Sequence, residues 1–231
     1  GVEALARWIG VVGEVAPPED FIAVAEESGL IDEVGELVLR ASCRQVKEWS
    51  DREGHPLRVG VNVSPRQLKN PSFTKTVEQI LEETGLPPAQ LELELTESIF
   101  IEDKEEVHSL LRRLSSTGIR IALDDFGTKY AALAYLKSFP VDRLKIDKSF
   151  VTDLPHDSSV ARLVDAIIAI AESFGCEVIA EGVETKEQLA FLREKKCHQA
   201  QGFYYSPPLP PSEFENFLEE IRNDGAFRRR M

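Results

Sequence analysis

The sequence predicts an α/β protein folded as a (β/α)8 TIM-like barrel, with the N-terminal strand missing from this chain. Three observations carry that expectation. Short β-type runs alternate with amphipathic helical runs from one end to the other, the mark of βαβ units and a parallel sheet. Seven strand-like runs occur at roughly 30-residue spacing, one short of the eight a barrel needs. The length of 231 residues also falls a little below the ~250 typical of that fold.

The first strand is expected at residues 2–8, and the chain opens in it at Gly1 without an initiating Met. We therefore expect a piece of a longer chain, with the eighth strand upstream of Gly1. Further strands are expected at 57–64, 91–96, 119–126, 143–147, 177–181 and 198–205. Between them, Val107, Leu110, Leu111 and Leu114 recur at helical spacing before Gly118. Val160, Leu163, Val164, Ile167, Ile168, Ala171 and Phe174 do the same before Gly175, and a glycine after the last periodic residue is a helix stop. Pro207-Pro208-Leu209-Pro210-Pro211 reads as a rigid loop before a last helix at 213–222, and Arg228-Arg229-Arg230 as a solvated tail. No linker or composition shift divides the chain, so residues 1–231 are expected to form one domain.

Apolar residues make up 42% of the chain and charged ones 29%, with a formal net charge of −13. That is a globular composition with material for a core. The acidic surplus argues against a nucleic-acid polymer as partner, because neutralising phosphates takes clustered Lys and Arg. No run approaches the ~18–20 apolar residues of a membrane span. Cys43, Cys176 and Cys197 have neither disulfide nor zinc spacing. They read as small buried residues in a reducing compartment, and we expect a cytoplasmic location. His55, His108, His156 and His198 have no ligand spacing.

Side chains alternate faces along a strand, and here the apolar parity is regular. Leu91, Leu93 and Leu95 stand against Glu92 and Glu94; Ile119, Ile121 and Leu123 against Asp124; Leu144 and Ile146 against Arg143, Lys145 and Asp147. Asn62, Glu181 and Gln201 close three other strands. A single alternating strand is explained equally well by one wet face. Six such strands interleaved with helices are not, because the helices cover the outside. With the apolar parity turned to the helices, the polar groups converge at the C-terminal mouth of the barrel, where barrel enzymes place their chemistry. Converging carboxylates repel unless a cation or proton lies between them, and Asp, Glu and Asn oxygens suit Mg²⁺ or Mn²⁺. The residues alone thus lead to a metal-dependent barrel hydrolase acting on a phosphoester.

Seven short motifs occur in order, nearly all at expected strand ends: Glu3-Ala4-Leu5 with Arg7-Trp8, Asn62-Val63-Ser64, Glu94-Leu95-Thr96-Glu97, Asp124-Asp125-Phe126-Gly127-Thr128, Leu144-Lys145-Ile146-Asp147, Glu181-Gly182-Val183-Glu184-Thr185 and Gln201-Gly202-Phe203. Together they resemble the EAL domain, a phosphodiesterase module that cuts cyclic di-GMP to linear pGpG. The resemblance covers nearly the whole chain. It implies two divalent metal ions, Mg²⁺ or Mn²⁺, with Glu3, Asn62, Glu94 and Asp124 at one and Asp124, Asp125 and Glu181 at the other, and a metal-activated water as nucleophile. Lys145 and Asp147 match residues that orient or deprotonate that water, a role suited to a lysine whose pKa nearby cations lower. Glu97 matches an anchor of the loop after Asp125, Glu184 a supporting carboxylate, and Gln201 a residue near the water. Arg7 would meet a substrate phosphate, and Phe203 or Tyr204 a guanine. A homodimer is implied, and the parent protein could carry sensor, cyclase or membrane domains.

Two segments depart from the family pattern. A His-Pro pair expected after Trp8 is replaced by the shorter Ile9-Gly10-Val11-Val12-Gly13. The loop after Asp125 has Lys129-Tyr130-Ala131-Ala132 where Gly-Tyr-Ser-Ser is usual, losing a glycine that admits positive φ and two capping hydroxyls. The alternative reading is therefore a catalytically weak or inactive cyclic di-GMP receptor that signals through dimerisation.

Overall fold

A computed structural model describes residues 1–10, 15–100, 104–128 and 136–223. Seven strands form one parallel sheet: β1 (Val2–Ala4), β4 (Val59–Asn62), β5 (Leu91–Thr96), β6 (Arg120–Phe126), β7 (Arg143–Ile146), β8 (Glu177–Ala180) and β9 (Gln199–Ala200). They are hydrogen-bonded in that order, so strand order in space equals strand order in sequence. Sequential parallel pairing with helical crossovers curls the sheet as in a barrel. β1 and β9 are its edges, and they are tied side chain to side chain, Gln201 Nε2 donating to Glu3 Oε2 at 2.6 Å.

The described helices lie between the strands, α1 (Pro18–Ser28), α2 (Ile31–Glu53), α3 (Pro65–Leu68), α4 (Phe73–Thr84), α5 (Lys104–Ser116), α6 (Lys148–Thr152), α7 (Ser158–Phe174) and α8 (Lys186–Glu194), and α9 (Pro211–Asn223) follows the last strand. Local chemistry sets their ends. Asp157 accepts from the backbone N–H groups of Ser159 and Val160 to start α7, and Gly175 at φ 72° stops it. Thr185 and Gln188 form a reciprocal capping box at α8, and Ser64 and Gln67 do so at α3, satisfying N–H groups that a helix start leaves open. Among the described residues no helix is long and apolar enough to cross a membrane.

The expected parity holds. Val59, Val61, Leu91, Leu93, Leu95, Ile121, Leu123, Leu144, Ile146 and Val178 are all buried against the helices. Leu163 and Phe174, expected on the buried face of α7, are exposed instead. Cys43 and Cys176 are buried and Cys197 half-buried.

The strand expected at 57–64 is confined to Val59–Asn62, and two others also fall short of what their β-type composition suggests. The run at 2–8 divides: β1 ends at Ala4, and Trp8–Ile9 (β2) pairs antiparallel with Val15–Ala16 (β3) in a separate ribbon. β1 pairs with β4 only over Val2–Ala4, opposite Val59–Val61. The run at 198–205 pairs only at β9. Gly202 then presses its backbone against Val183, where a Cβ would lie 2.3 Å from the Val183 nitrogen and oxygen, and a turn follows. Residues 129–132 and 228–230 lie outside the described residues.

Candidate active site

Two ionic layers fill the inside of the sheet, one residue pair apart along β5 and β7. The lower layer joins Glu92 and Arg143 at 2.7 Å, and Arg143 and Arg120 reach Glu177 at 2.7 and 2.9 Å, with Arg58 beyond. Three guanidiniums there face two carboxylates, a nearly balanced set. The upper layer is unbalanced. Lys145 Nζ lies 2.5 Å from Glu94 Oε2, 2.7 Å from Glu181 Oε1, 3.3 Å from Asp124 Oδ1 and 3.6 Å from Glu3 Oε2. One ammonium thus stands among four carboxylates, a formal surplus of three negative charges at the carboxyl ends of the strands.

Each side chain arrives there by its strand position. Glu3 lies on β1, Asn62 ends β4, Glu94 lies on β5, Asp124 on β6 and Lys145 on β7; Glu181 and Gln201 follow β8 and β9 directly. Asn62 Nδ2 donates to Glu3 Oε1 at 2.9 Å while Gln201 holds the other oxygen, so both Glu3 oxygens are fixed by neutral amides. Burial pushes the Glu94 carboxyl up to about 8, with Lys145 opposing and Glu3 and Asp124 adding to the rise. Burial likewise pushes Glu181 up to about 7. For Lys145 burial acts downward, but Glu94, Glu3, Glu181 and Asp124 outweigh it and hold the ammonium above its ordinary value. The lowering expected from the sequence is an effect of bound cations, whereas this balance is set by the protein's own groups.

The Asp124-Asp125 pair sits on a backbone irregularity. Leu123 pairs with Leu144 and Phe126 with Ile146, so β6 spends one residue more than β7, and Asp125 adopts φ 54°. A bulge of this kind re-aims side chains, and Asp tolerates the left-handed region better than most residues. Asp125 N donates to Asp124 Oδ1 at 3.0 Å. Just beyond, the buried Glu97 accepts from Gly127 N at 2.7 Å, which ties the end of β6 to the turn after β5.

Other expected residues lie around this cluster rather than in it. Asp147 caps α6, accepting from Ser149 N at 3.0 Å. Glu184 is exposed and pairs with Lys148 at 2.9 Å. Phe203 is exposed at the rim, with Lys148 Nζ 5.9 Å from its ring centroid. Arg7 is exposed and donates to its neighbour's carbonyl, Ala6 O, at 2.9 Å; tertiary structure does not bring it to the carboxylates. The sequence reading assigned nothing to Lys148, although a cation directly after a strand-end Asp was a visible signal. It also passed over Gly60, where a Cβ would fall 1.9 Å from Glu94 Oε1.

The donor set suits hard divalent cations: buried oxygens, surplus negative charge, and two carboxyls whose protons a cation could replace. Among the described residues, no three acidic or imidazole groups are placed to share one metal ion, and the Lys145 ammonium occupies the centre of the cluster.

A parallel α/β barrel sheet with an acidic cluster around one lysine at its carboxyl end has the site layout of barrel enzymes. The EAL domain family profile matches residues 1–208, and the chain belongs to that family. It is 41% identical over 225 residues to "Cyclic di-GMP phosphodiesterase NbdA" of Pseudomonas aeruginosa, covering 97% of this chain and 29% of that protein. It is 41% identical over 218 residues to "Cyclic di-GMP phosphodiesterase PdeR" of Escherichia coli, covering 94% of this chain and 33% of that one. The solved structure "PaMucR Phosphodiesterase, c-di-GMP complex" superposes with a TM-score of 0.87 at 38% identity, over 92% of this chain and 86% of that one. The chain spans a third or less of the length of these two curated relatives.

Proposed function

We propose that this domain hydrolyses cyclic di-GMP to linear pGpG. The observation that carries the reading is the upper ionic layer, four carboxylates around Lys145 at the barrel mouth. The names and the bound ligand of its similar proteins point the same way.

Glu3, Asn62, Glu94, Asp124, Asp125 and Glu181 would hold two divalent cations, Mg²⁺ or Mn²⁺. When bound, such cations supply Lewis-acid stabilisation of a phosphoryl group and lower the pKa of water. The remaining work belongs to the chain. Asn62 and Gln201 fix both oxygens of Glu3. Lys145 keeps a positive charge where negative charge develops as water adds to phosphorus. Asp147, held by Ser149, stands directly after β7 to orient the water or accept its proton. Glu97 fixes the turn at Gly127, and Glu184 supports the rim. One phosphoester bond breaks, the ring opens and the leaving ribose oxygen takes a proton. Arg7, Gln201 and Phe203 are the substrate-side residues, with Arg7 turning from its local contact to a phosphate. We place residues 1–231 in one domain that works as a homodimer in the cytoplasm.

Incubation with cyclic di-GMP and Mg²⁺ or Mn²⁺, followed by chromatography, tests this reading. The wild-type protein should yield pGpG and Glu3→Ala should not. Tight binding without product would overturn the enzyme and establish the receptor.

A further inference from the structure

Lys148 ties together three consecutive loops at the barrel mouth. It is the first residue of α6, directly after Asp147. Its ammonium lies 2.9 Å from Glu184 Oε1 in the loop after β8 and 5.9 Å from the ring centroid of Phe203 in the loop after β9. Its stem crosses the backbone at Gly182, where a Cβ would fall 2.4 Å from Lys148 Cγ and 2.8 Å from its Cβ and Cδ. Gly182 also has φ +64°, so glycine serves there twice: for the left-handed backbone, which side chains disfavour, and for the path of the lysine.

The Phe203 ring is 63% exposed, only two residues beyond Gln201, whose amide touches Glu3. A large aromatic left in water beside a charged site is placed for a flat partner. Cation–π attraction and the Glu184 pair hold the ammonium beside that ring.

We propose that Lys148 is a positioning residue that holds Phe203 as a stacking platform for a guanine base of the substrate, with Gly182 providing its path. The proposal rests on the cyclic di-GMP reading above. A ring restrained before binding has less freedom left to lose when a base stacks on it.

A double-mutant cycle tests this. Affinity for cyclic di-GMP is measured by titration calorimetry, with EDTA holding turnover off, for the wild type, Phe203→Ala, Lys148→Met, the double variant and Lys148→Arg. Phe203→Ala should weaken binding about ten-fold and Lys148→Met about three-fold. The double variant should be no weaker than Phe203→Ala alone, and Lys148→Arg should stay within about two-fold of wild type. Both positions are largely exposed, and circular dichroism verifies that each variant folds. Additive losses, or an unchanged affinity in Lys148→Met, would overturn the positioning role while leaving the substrate reading intact. A wild-type protein that binds no cyclic di-GMP either in EDTA or with Mg²⁺ added would overturn both.

Discussion

Lys145 Nζ and Glu94 Oε2 are 2.5 Å apart, and both side chains are almost completely removed from solvent. An isolated charge at that depth is expensive, so each group depends on the other and on the surrounding acids. The pair is shared with Glu3, Asp124 and Glu181, which turns a local contact into the centre of the barrel mouth.

Removing the ammonium should therefore cost stability as well as activity. Lys145→Met leaves four carboxylates without their counter-ion, and truncating one partner of a buried pair costs about 3 kcal/mol. In a chain of this size that is a fall of about 6–12 °C in Tm. Thermal denaturation in EDTA reads it, and Mn²⁺ should raise the Tm of both proteins by binding the folded state. An unchanged Tm in EDTA would show that Lys145 does not hold the cluster together.

Glu97 should act through the backbone it holds. Glu97→Ala leaves the Gly127 N–H without its 2.7 Å acceptor, a loss of about 1–3 kcal/mol. Glu97→Gln keeps an acceptor oxygen at the same reach. We expect Glu97→Ala to lower Tm more than Glu97→Gln, together with a larger fall in pGpG formation. Equal effects would mean that charge, not the hydrogen bond, is what matters at this position.

Acid should weaken the lower ionic layer. Burial acts to raise the Glu177 pKa, but the Arg143 hydrogen bond and the charges of Arg120, Arg143 and Arg58 prevail and hold it below the usual carboxylate range. A depressed carboxylate stabilises the fold above its unfolded pKa, and that contribution is lost as pH falls through the folded value. Glu177→Gln should thus be less stable than wild type by about 1 kcal/mol at neutral pH, and the difference should shrink as pH falls below the unfolded carboxylate pKa and vanish below the lowered folded one. Melting curves across that range check the sign.

The thiols should be inert in the folded protein. Burial pushes Cys43 up to about 12, and burial pushes Cys197 up to about 11 despite hydrogen bonds that act the other way. Cys176 is also raised, by burial and by Asp142. Because the thiolate is the reactive form, labelling at pH ~8 should run much slower in the folded protein than in denaturant. Fast labelling of any one thiol would show that its element opens readily.

Much of this protein is decided within a few residues of sequence. Strand parity repeats every two residues and helix parity every 3.6, so Leu93 against Glu94, or Ile146 against Lys145, shows which side meets the helices and which meets the barrel interior. Helix stops such as Gly175 and caps such as Asp157 are equally local. The fold class and most of the acidic cluster were readable for that reason.

Tertiary structure decided the rest, because it depends on partners far away in the chain. Gln201 reaches Glu3 across 198 residues, and no local pattern states that β1 and β9 face one another. The short β1 and β9, the register shift at Asp124 and Asp125, the exposed Arg7, and the path of Lys148 over Gly182 all follow from how neighbouring backbones meet. A strand's composition specifies which face is buried. Only its neighbours determine where pairing stops, and hence which carboxylates come to share one lysine.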